Sequence, residues 1–146
     1  MTADFMATYQ AHQKALSQTM TINKRAVFAA LTATSITAVT VVFDGSGDSG
    51  QINEVVAKRG DIIVELPETR IEFQKVEWNG TKPAPSKYTL RDAIEALCFN
   101  YLSYEHGGWE NNDGGQGEFS FDVAEQRIEL DFQQFYTEST HYAHTF

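Results

Sequence analysis

The sequence predicts an α+β fold in which a mostly antiparallel sheet packs helices on one face. Three segments carry apolar residues at the spacing of an amphipathic helix, and several short runs are rich in β-branched residues. Residues 118–133 alternate between apolar and polar side chains, which is typical of a hairpin. A length of 146 residues, 42% of them hydrophobic, suits one core. We therefore expect residues 1–146 to form a single domain.

The helices are predicted from apolar stripes. Residues 3–18 carry one stripe, and residues 22–33 carry another, with Thr21 placed to cap the second helix. The first helix, within residues 1–20, belongs to a chain terminus, where helices fray, so we expect it at the periphery of the domain. A third helix is expected over residues 89–105, where a threonine followed three residues later by an aspartate resembles a capping box.

The strands are predicted from β-branched and aromatic runs bounded by turn residues. The runs occupy residues 36–43, 51–57, 61–67 and 69–78. Residues 79–87 hold a glycine and two prolines, and they are predicted to be a connector. The hairpin within 118–133 would place its apolar residues on one face and its acidic residues on the other.

Charge is distributed unevenly along the chain, whose net charge is −9. Residues 92–146 contain 11 acidic residues and a single basic one, Arg127, so the whole excess of negative charge is C-terminal. A field of this sign attracts cations and basic protein surfaces, and it repels nucleic acid, whose phosphates need Lys and Arg. A protein partner with a basic surface is therefore expected, and direct binding of nucleic acid is not.

The sequence shows no feature of export or membrane insertion. Its N-terminus lacks a basic region followed by an apolar core, and no apolar run approaches the ~20 residues of a membrane-spanning helix. The only cysteine, Cys98, lies in a helical pattern and excludes an intrachain disulfide. A reducing, cytoplasmic location without a membrane partner is the resulting prediction.

The hairpin carries the first candidate binding surface. Glu118, Asp122, Glu129 and Asp131 would lie on one exposed face, with like charges near each other across the strands. Such a face can serve only to keep the protein solvated. It can also imitate the phosphate array of a nucleic acid and occupy a basic groove of a partner. The sequence leaves both interpretations open.

A Gly-rich segment at residues 106–117 precedes the hairpin and adds further binding candidates. Trp109, Glu110, Asn111 and Asn112 follow one another there, and loops that combine polar groups with a large aromatic ring are common binding places. The alternative is structural, because Asn and Asp side chains also stabilise turns and the indole can cover the edge of the core.

A second Gly-rich segment contains GDSG at residues 47–50, the tetrapeptide that surrounds the nucleophilic serine in trypsin-like proteases. Ser49 is not predicted to be a nucleophile, because the only upstream histidine lies in a helical pattern and the chain is too short for that fold. Asp44 and Asp48 fit an EF-hand loop in part, but its Gly and Glu are one residue out of register. If both Gly-rich segments lie at the same end of the sheet, Asp44, Asp48 and Asp113 could bind a divalent cation.

Such a cation site would make a small metal-dependent enzyme or a cation-binding module the alternative function. His106 or Glu110 would then exchange a proton with a bound ligand. His141 and His144 are spaced H-x-x-H, but a terminal pair of this kind without helical context is more often a surface feature than a zinc site. No other cofactor is expected.

Several motifs carry a resemblance to a known family. The segments GSGDSGQI and HGGWENNDGGQGEFSFDVAEQRIELDF, and the ending YTEST followed by histidine, resemble a family of small bacterial proteins classed as a domain of unknown function. The resemblance covers about residues 22–146. Members of that family are often seen on plasmids and integrated mobile elements. The resemblance therefore implies a cytoplasmic accessory role in mobile-element biology, including interference with host defence, and it implies no catalytic residue.

The sequence thus predicts a small acidic, non-enzymatic interaction protein that binds a basic protein surface, as an inhibitor that imitates nucleic acid would. The alternative is the metal-dependent enzyme or cation-binding module. A homodimer whose loops are purely structural is a third outcome that the sequence permits.

Overall fold

The computed structural model of the chain describes residues 2–46, 49–76, 82–107, 114–135 and 140–146. These residues form two helices and eight strands. In chain order they are α1 (Thr2–Ala33), β1 (Ala38–Ser46), β2 (Ser49–Arg59), β3 (Ile62–Val64), β4 (Arg70–Val76), β5 (Pro83–Thr89), α2 (Leu90–Glu105), β6 (Gly115–Asp122), β7 (Arg127–Gln134) and β8 (Thr140–Thr145). The predicted α+β fold is confirmed.

Six strands form one antiparallel sheet in the order β3-β2-β1-β6-β7-β8. The hairpin β1–β2 lies next to the predicted hairpin, β6–β7, because β1 also pairs with β6 over most of its length. Side chains alternate between the two faces along each strand. Val39, Val41 and Phe43 of β1 are therefore buried on the same side as the apolar residues of β6 and β7.

Both helices cover this apolar face of the sheet. Phe28 of α1 contacts Phe121 of β6 with ring centroids 6.0 Å apart, and Tyr101 of α2 lies 6.3 Å from Phe119. The Thr89 hydroxyl accepts a hydrogen bond from the backbone N–H at position 92, so the cap predicted for α2 is present. Neither α1 nor α2 combines the length and the apolar character needed to cross a membrane.

α1 is a single helix of 32 residues, where the sequence predicts two. The threonines near the predicted boundary do not cap a new helix. The Thr19 hydroxyl donates to the carbonyl of Leu16 at 2.8 Å, and the Thr21 hydroxyl donates to the carbonyl of Ser17 at 3.2 Å. Because these bonds return to the preceding turn and no proline or glycine interrupts the segment, the helix continues.

β4 and β5 form a separate two-stranded sheet, so the predicted connector is wrong for residues 83–87. Pro85 pairs with Gln74, and Pro83 also lies within β5. Prolines are tolerated there because β4 is the one described strand that pairs with β5, and an edge strand need not donate from every residue. The hairpin is joined to α1 by Asn23, whose amide exchanges two hydrogen bonds with the backbone of Gln74.

The strand β8, which the sequence does not predict, extends the sheet beyond β7. Phe146 follows β8 and exchanges backbone hydrogen bonds with Ile128 of β7. Its ring stacks on Tyr101 of α2 with centroids 4.3 Å apart. The end of the chain is therefore held by contacts with distant residues and not by a strong local strand preference.

Candidate functional site on the uncovered sheet face

The candidate site is the face of the six-stranded sheet that neither helix covers, which we call the open face. It consists of the side chains that alternate with the buried residues of β1, β2, β6, β7 and β8. Glu118 and Asp122 of β6 lie on it, as do Glu129 and Asp131 of β7. The structure thus brings together the four hairpin carboxylates that the sequence singles out.

Strands β1 and β2 add two further carboxylates to the open face. Asp44 pairs in register with Gln116 of β6. Glu54 of β2 lies opposite Val42, and Val42 lies opposite Glu118. The sequence predicts Asp44 as a cation ligand, and only the strand order places Asp44 and Glu54 beside the hairpin.

Three of the four hairpin carboxylates contact an arginine or a histidine. Arg127 approaches Asp122 at 3.9 Å and Glu129 at 3.2 Å, and His141 Nε2 lies 2.5 Å from Asp131 Oδ1. About half or more of each of these side chains is exposed, so each pair stabilises the fold by at most ~1 kcal/mol. Arg127 nevertheless offsets part of the negative charge on the open face.

Glu118 is different, because it has no ion-pair partner among the described residues. It lies between β1 and β7, directly opposite Asp131 in the β6–β7 register. Like charges that face each other across an antiparallel pair destabilise it, on the order of 0.2–1 kcal/mol. A shallow depression of about 360 Å³ adjoins Glu118 and is also lined by Asp44, Gln116 and His141.

Several sequence candidates lie outside the described residues, namely Asp48, Trp109, Glu110, Asn111, Asn112 and Asp113. The described flanks of the two Gly-rich segments lie side by side, since Gly45 pairs with Gly50 of β2 and with Gly115 of β6. Within the described ranges, no group of three or more His, Cys, Asp or Glu side chains could hold a metal ion.

A second polar cluster lies on the helical side of the sheet. His106 follows α2 and His144 belongs to β8, and their Nε2 atoms are 2.8 Å apart. The rings of Phe132 and Tyr142 pack against His106, each with centroids 4.8 Å away. His141 lies three residues from His144 and bonds to Asp131 on the open face, so the H-x-x-H pair does not converge on one point.

The contact between the two imidazoles requires one ring to donate its N–H and the other to accept. Burial, and after it the neighbouring His144, lowers the pKa of His106 below its ordinary value of 6.5, whereas Glu105 acts in the opposite direction. The hydrogen bond persists while at least one ring is neutral, and protonation of both rings breaks it.

Acidification is expected to destabilise the protein through this pair. Because the pKa of His106 is lower in the folded state, stability that is fully present above about pH 6.5 is lost as the pH falls towards that lower pKa. Urea unfolding between about pH 7.5 and 5 measures the effect. His144→Gln should flatten the pH dependence, and His141→Gln, on the same strand, should retain it. If the free energy of unfolding fell equally steeply with pH in wild type and in His144→Gln, the His106–His144 pair would not be the cause.

Cys98 is a core residue and not a nucleophile. It is buried in α2, and this burial, followed by the charge of Glu95, raises the pKa of its thiol well above the ordinary value. A thiol that stays protonated and shielded from solvent does not attack a substrate.

These features define a small α+β protein whose uncovered sheet face carries acidic side chains. The chain belongs to a family of unknown function, DUF6878, whose model matches residues 19–146. The match begins within α1, so the first part of that helix lies outside the matched region. No curated protein and no solved structure matches the chain.

Proposed function

We propose that this protein is a small, non-enzymatic interaction protein whose open face binds a basic surface of a partner protein. The observation that carries the proposal is the position of Glu118, which lacks an ion-pair partner in the described part of the chain. Asp44 and Asp131 line the same depression. A lysine or arginine of a partner that enters it would form the ion pair that Glu118 lacks.

The facing charges on β6 and β7 support a partner over simple solvation. Glu118 and Asp131 lie opposite each other, and this arrangement destabilises the free protein. A face that only keeps a protein soluble does not need like charges in register, because charges of both signs serve as well. Local conflicts of this kind are expected mainly where function requires them. A bound cation would remove the conflict.

The partner in this proposal is a protein with a nucleic-acid-binding groove. Such a groove offers the basic surface that an acidic sheet face complements, and the array of carboxylates takes the place of phosphates. In the mobile-element setting that the family resemblance implies, the protein acts in the cytoplasm as an accessory or anti-defence inhibitor. It contacts neither nucleic acid nor membrane.

Glu118→Gln is expected to weaken binding and to stabilise the fold. Loss of this charge should weaken binding of an arginine-rich peptide about 3–10-fold. Removal of the facing pair should raise the free energy of unfolding by about 0.5 kcal/mol. Fluorescence anisotropy and urea unfolding measure the two effects. Glu72→Gln is the matched control, because Glu72 is an exposed carboxylate on β4, outside the open face, and it should change neither quantity.

The salt dependence of binding provides a second readout of the same proposal. Surface ion pairs weaken as the ionic strength rises, so affinity should fall steeply with salt. The charge reversals Glu129→Lys and Asp131→Lys should abolish binding. A complex that ignores salt, or that survives both reversals, would rule out the open face as the binding surface.

A cation-binding module is the second candidate, and the adjacent flanks of the two Gly-rich segments favour it. In this candidate Asp44, Asp48 and Asp113 hold a divalent ion. An ion that binds only the folded state raises the melting temperature. Melts with Ca²⁺, Mg²⁺, Mn²⁺, Zn²⁺ and EDTA therefore test it. A melting temperature that no ion changes would exclude the module, as would a shift that Asp44→Asn leaves intact.

A further inference from the structure

We infer that the outer edge of β8 docks an extended basic strand of the partner protein, which adds a seventh strand to the sheet. This inference rests on the proposed function and specifies how the partner binds. β8 is the last strand of the sheet, and no described strand pairs with its outer edge. The backbone, the edge composition and the neighbouring charges each support this mode of binding.

The hydrogen bonds between β7 and β8 determine which backbone groups of β8 are used within the sheet. Phe146 and Ile128 exchange both of their backbone hydrogen bonds. In an antiparallel ladder this exchange recurs at every second residue. Tyr142 and His144, which are in register with β7, therefore bond to β7 in the same way.

The residues between them present their backbone groups to the outside. The N–H and C=O groups of His141, Ala143 and Thr145 point away from β7, at the spacing of alternate residues in a strand. The side chains of the same three residues lie on the open face, because they are in register with open-face residues of β7. The β8 edge and the open face therefore form one continuous surface.

The two edges of the sheet differ in their protection against strand addition. At the opposite edge, the outermost strand, β3, is only three residues long and pairs with residues 57–59 of β2. The pairing of β2 with β1 also contains a register shift. Short strands, basic side chains and bulges all hinder strand addition. β8 has none of these features, because its pairing with β7 is regular and it contains no Lys, Arg, Asp, Glu or Pro.

The charges next to β8 specify a basic occupant. Glu129 and Asp131 of β7 lie opposite Thr145 and Ala143. An added strand would lie ~4.8 Å beyond β8. His141 contacts Asp131 through Oδ1, and Ala143, directly opposite, carries only a methyl group, so a long Lys or Arg side chain on the added strand would approach the other oxygen of that carboxylate. An acidic strand would be repelled at the same place.

Ala143→Pro tests the backbone pairing without a change of charge. Because the N–H of Ala143 points outward, a proline removes one donor from the edge and preserves the hydrogen bonds to β7. Ala143→Val is the matched control, since it adds similar bulk and keeps the N–H. The probe is a synthetic peptide of about eight residues in which Lys or Arg alternates with Val or Thr. A second peptide has the same sequence with N-methyl groups on alternate backbone amides.

The proline is expected to weaken binding of the unmodified peptide about 5–10-fold, because one hydrogen bond and its neighbours are lost. Ala143→Val should bind the unmodified peptide with an affinity within about 2-fold of that of wild type. The N-methylated peptide should bind wild type weakly, with about the affinity that the unmodified peptide has for Ala143→Pro. If Ala143→Pro does not fold, the comparison of the two peptides on wild type decides the question.

Equal binding of both peptides, unchanged by Ala143→Pro, would overturn strand addition and leave the proposed function intact. If neither peptide binds, both ideas fail. Light scattering tests whether the occupant is a second copy of this chain. A wild-type homodimer that Ala143→Pro dissociates would show that it is, and would overturn the proposal of a basic partner strand.

Discussion

Replacement of Gly117 by alanine is expected to destabilise the protein by about 3 kcal/mol, among the largest effects of any single methyl group in this chain. Gly117 belongs to β6 and faces the core between Phe43 of β1 and Phe132 of β7. The two phenylalanine rings meet over it, with centroids 6.0 Å apart. An added Cβ would overlap the carbonyl oxygen of Asp131 and lie 3.0 Å from Cζ of Phe43.

The cost is large because the overlapping atom belongs to the backbone. A flexible side chain could rotate away, but the Asp131 carbonyl is part of the β6–β7 ladder and can move only if the two strands separate. For a chain of this size the loss corresponds to a fall in melting temperature of about 10 °C. Thermal and urea unfolding measure it. Since Glu118 adjoins Gly117, peptide binding to the open face should weaken as well.

Gly107→Ala is the matched control for this substitution. Its added Cβ would meet only the carbonyl oxygen of Ser103, at the ordinary contact distance of 3.5 Å. We expect a change within about 0.5 kcal/mol. If Gly117→Ala were tolerated equally well, β6 and β7 could not approach each other as closely as the contact with the Asp131 carbonyl requires.

The second large effect is expected for Asn23→Ala, which should lower the free energy of unfolding by about 2–4 kcal/mol. Asn23 is fully buried on α1. Its Nδ2 donates to the carbonyl of Gln74 at 2.9 Å, and its Oδ1 accepts from the Gln74 N–H at 2.8 Å. The side-chain amide therefore makes the two hydrogen bonds that the backbone of an adjacent strand would make with β4. Alanine leaves the N–H and the C=O of Gln74 without these partners.

Asn23→Asp makes this prediction sharper. A carboxylate still accepts from the Gln74 N–H, but its second oxygen then faces the Gln74 carbonyl oxygen. A protonated carboxyl group would restore the donor, so the folded state should raise the pKa of the new acid. The variant should therefore lose its stability deficit as the pH is lowered. Urea unfolding over a range of pH measures this recovery.

Thr21→Ala is the control on the same helix. The Thr21 side chain is exposed and bonds only to the carbonyl of Ser17 within α1, so its loss should change stability by less than about 0.5 kcal/mol. A deficit of Asn23→Asp that is the same at every pH would contradict the paired hydrogen bonds. Because Asn23 lies on the helical side, peptide binding by the folded fraction should remain unchanged in all three variants.

The parts of this fold that the sequence predicts best are those whose signals come from residues close together in the chain. The alternation in 118–133 and the cap at Thr89 depend on residues that are neighbours in the chain, and both are present in the structure. The helix boundary predicted at Thr21 rests on a weaker signal, because a threonine hydroxyl can bond to the preceding turn of a helix as readily as it caps a new one.

The prolines of β5 show how distant contacts can form a strand that the local sequence argues against. Proline normally argues against a strand, yet Pro85 pairs with Gln74 because the hairpin has a free edge and because Asn23 holds its other strand. Neither condition can be read from residues 79–87. A partner that comes from a distant helix outweighs the local preference of the segment.

The candidate site also has a part that the sequence predicts and a part that it does not. Alternation in the sequence is enough to predict that Glu118, Asp122, Glu129 and Asp131 share one face, since alternation with buried neighbours is a property of each strand alone. The C-terminal position of the charge excess is equally a property of the sequence. These conclusions need only the spacing and the type of residues.

Which of these four carboxylates lacks a partner depends on contacts that form only in the folded chain. Arg127 forms ion pairs with two of them and His141 contacts a third, so Glu118 is the one without a partner among the described residues. The pairing of β1 with β6 adds Asp44 to the same face, and β8 contributes the edge with outward backbone groups. The physical reason is that strand order joins residues far apart in the chain, and the energy of each such contact depends on all the others that form with it.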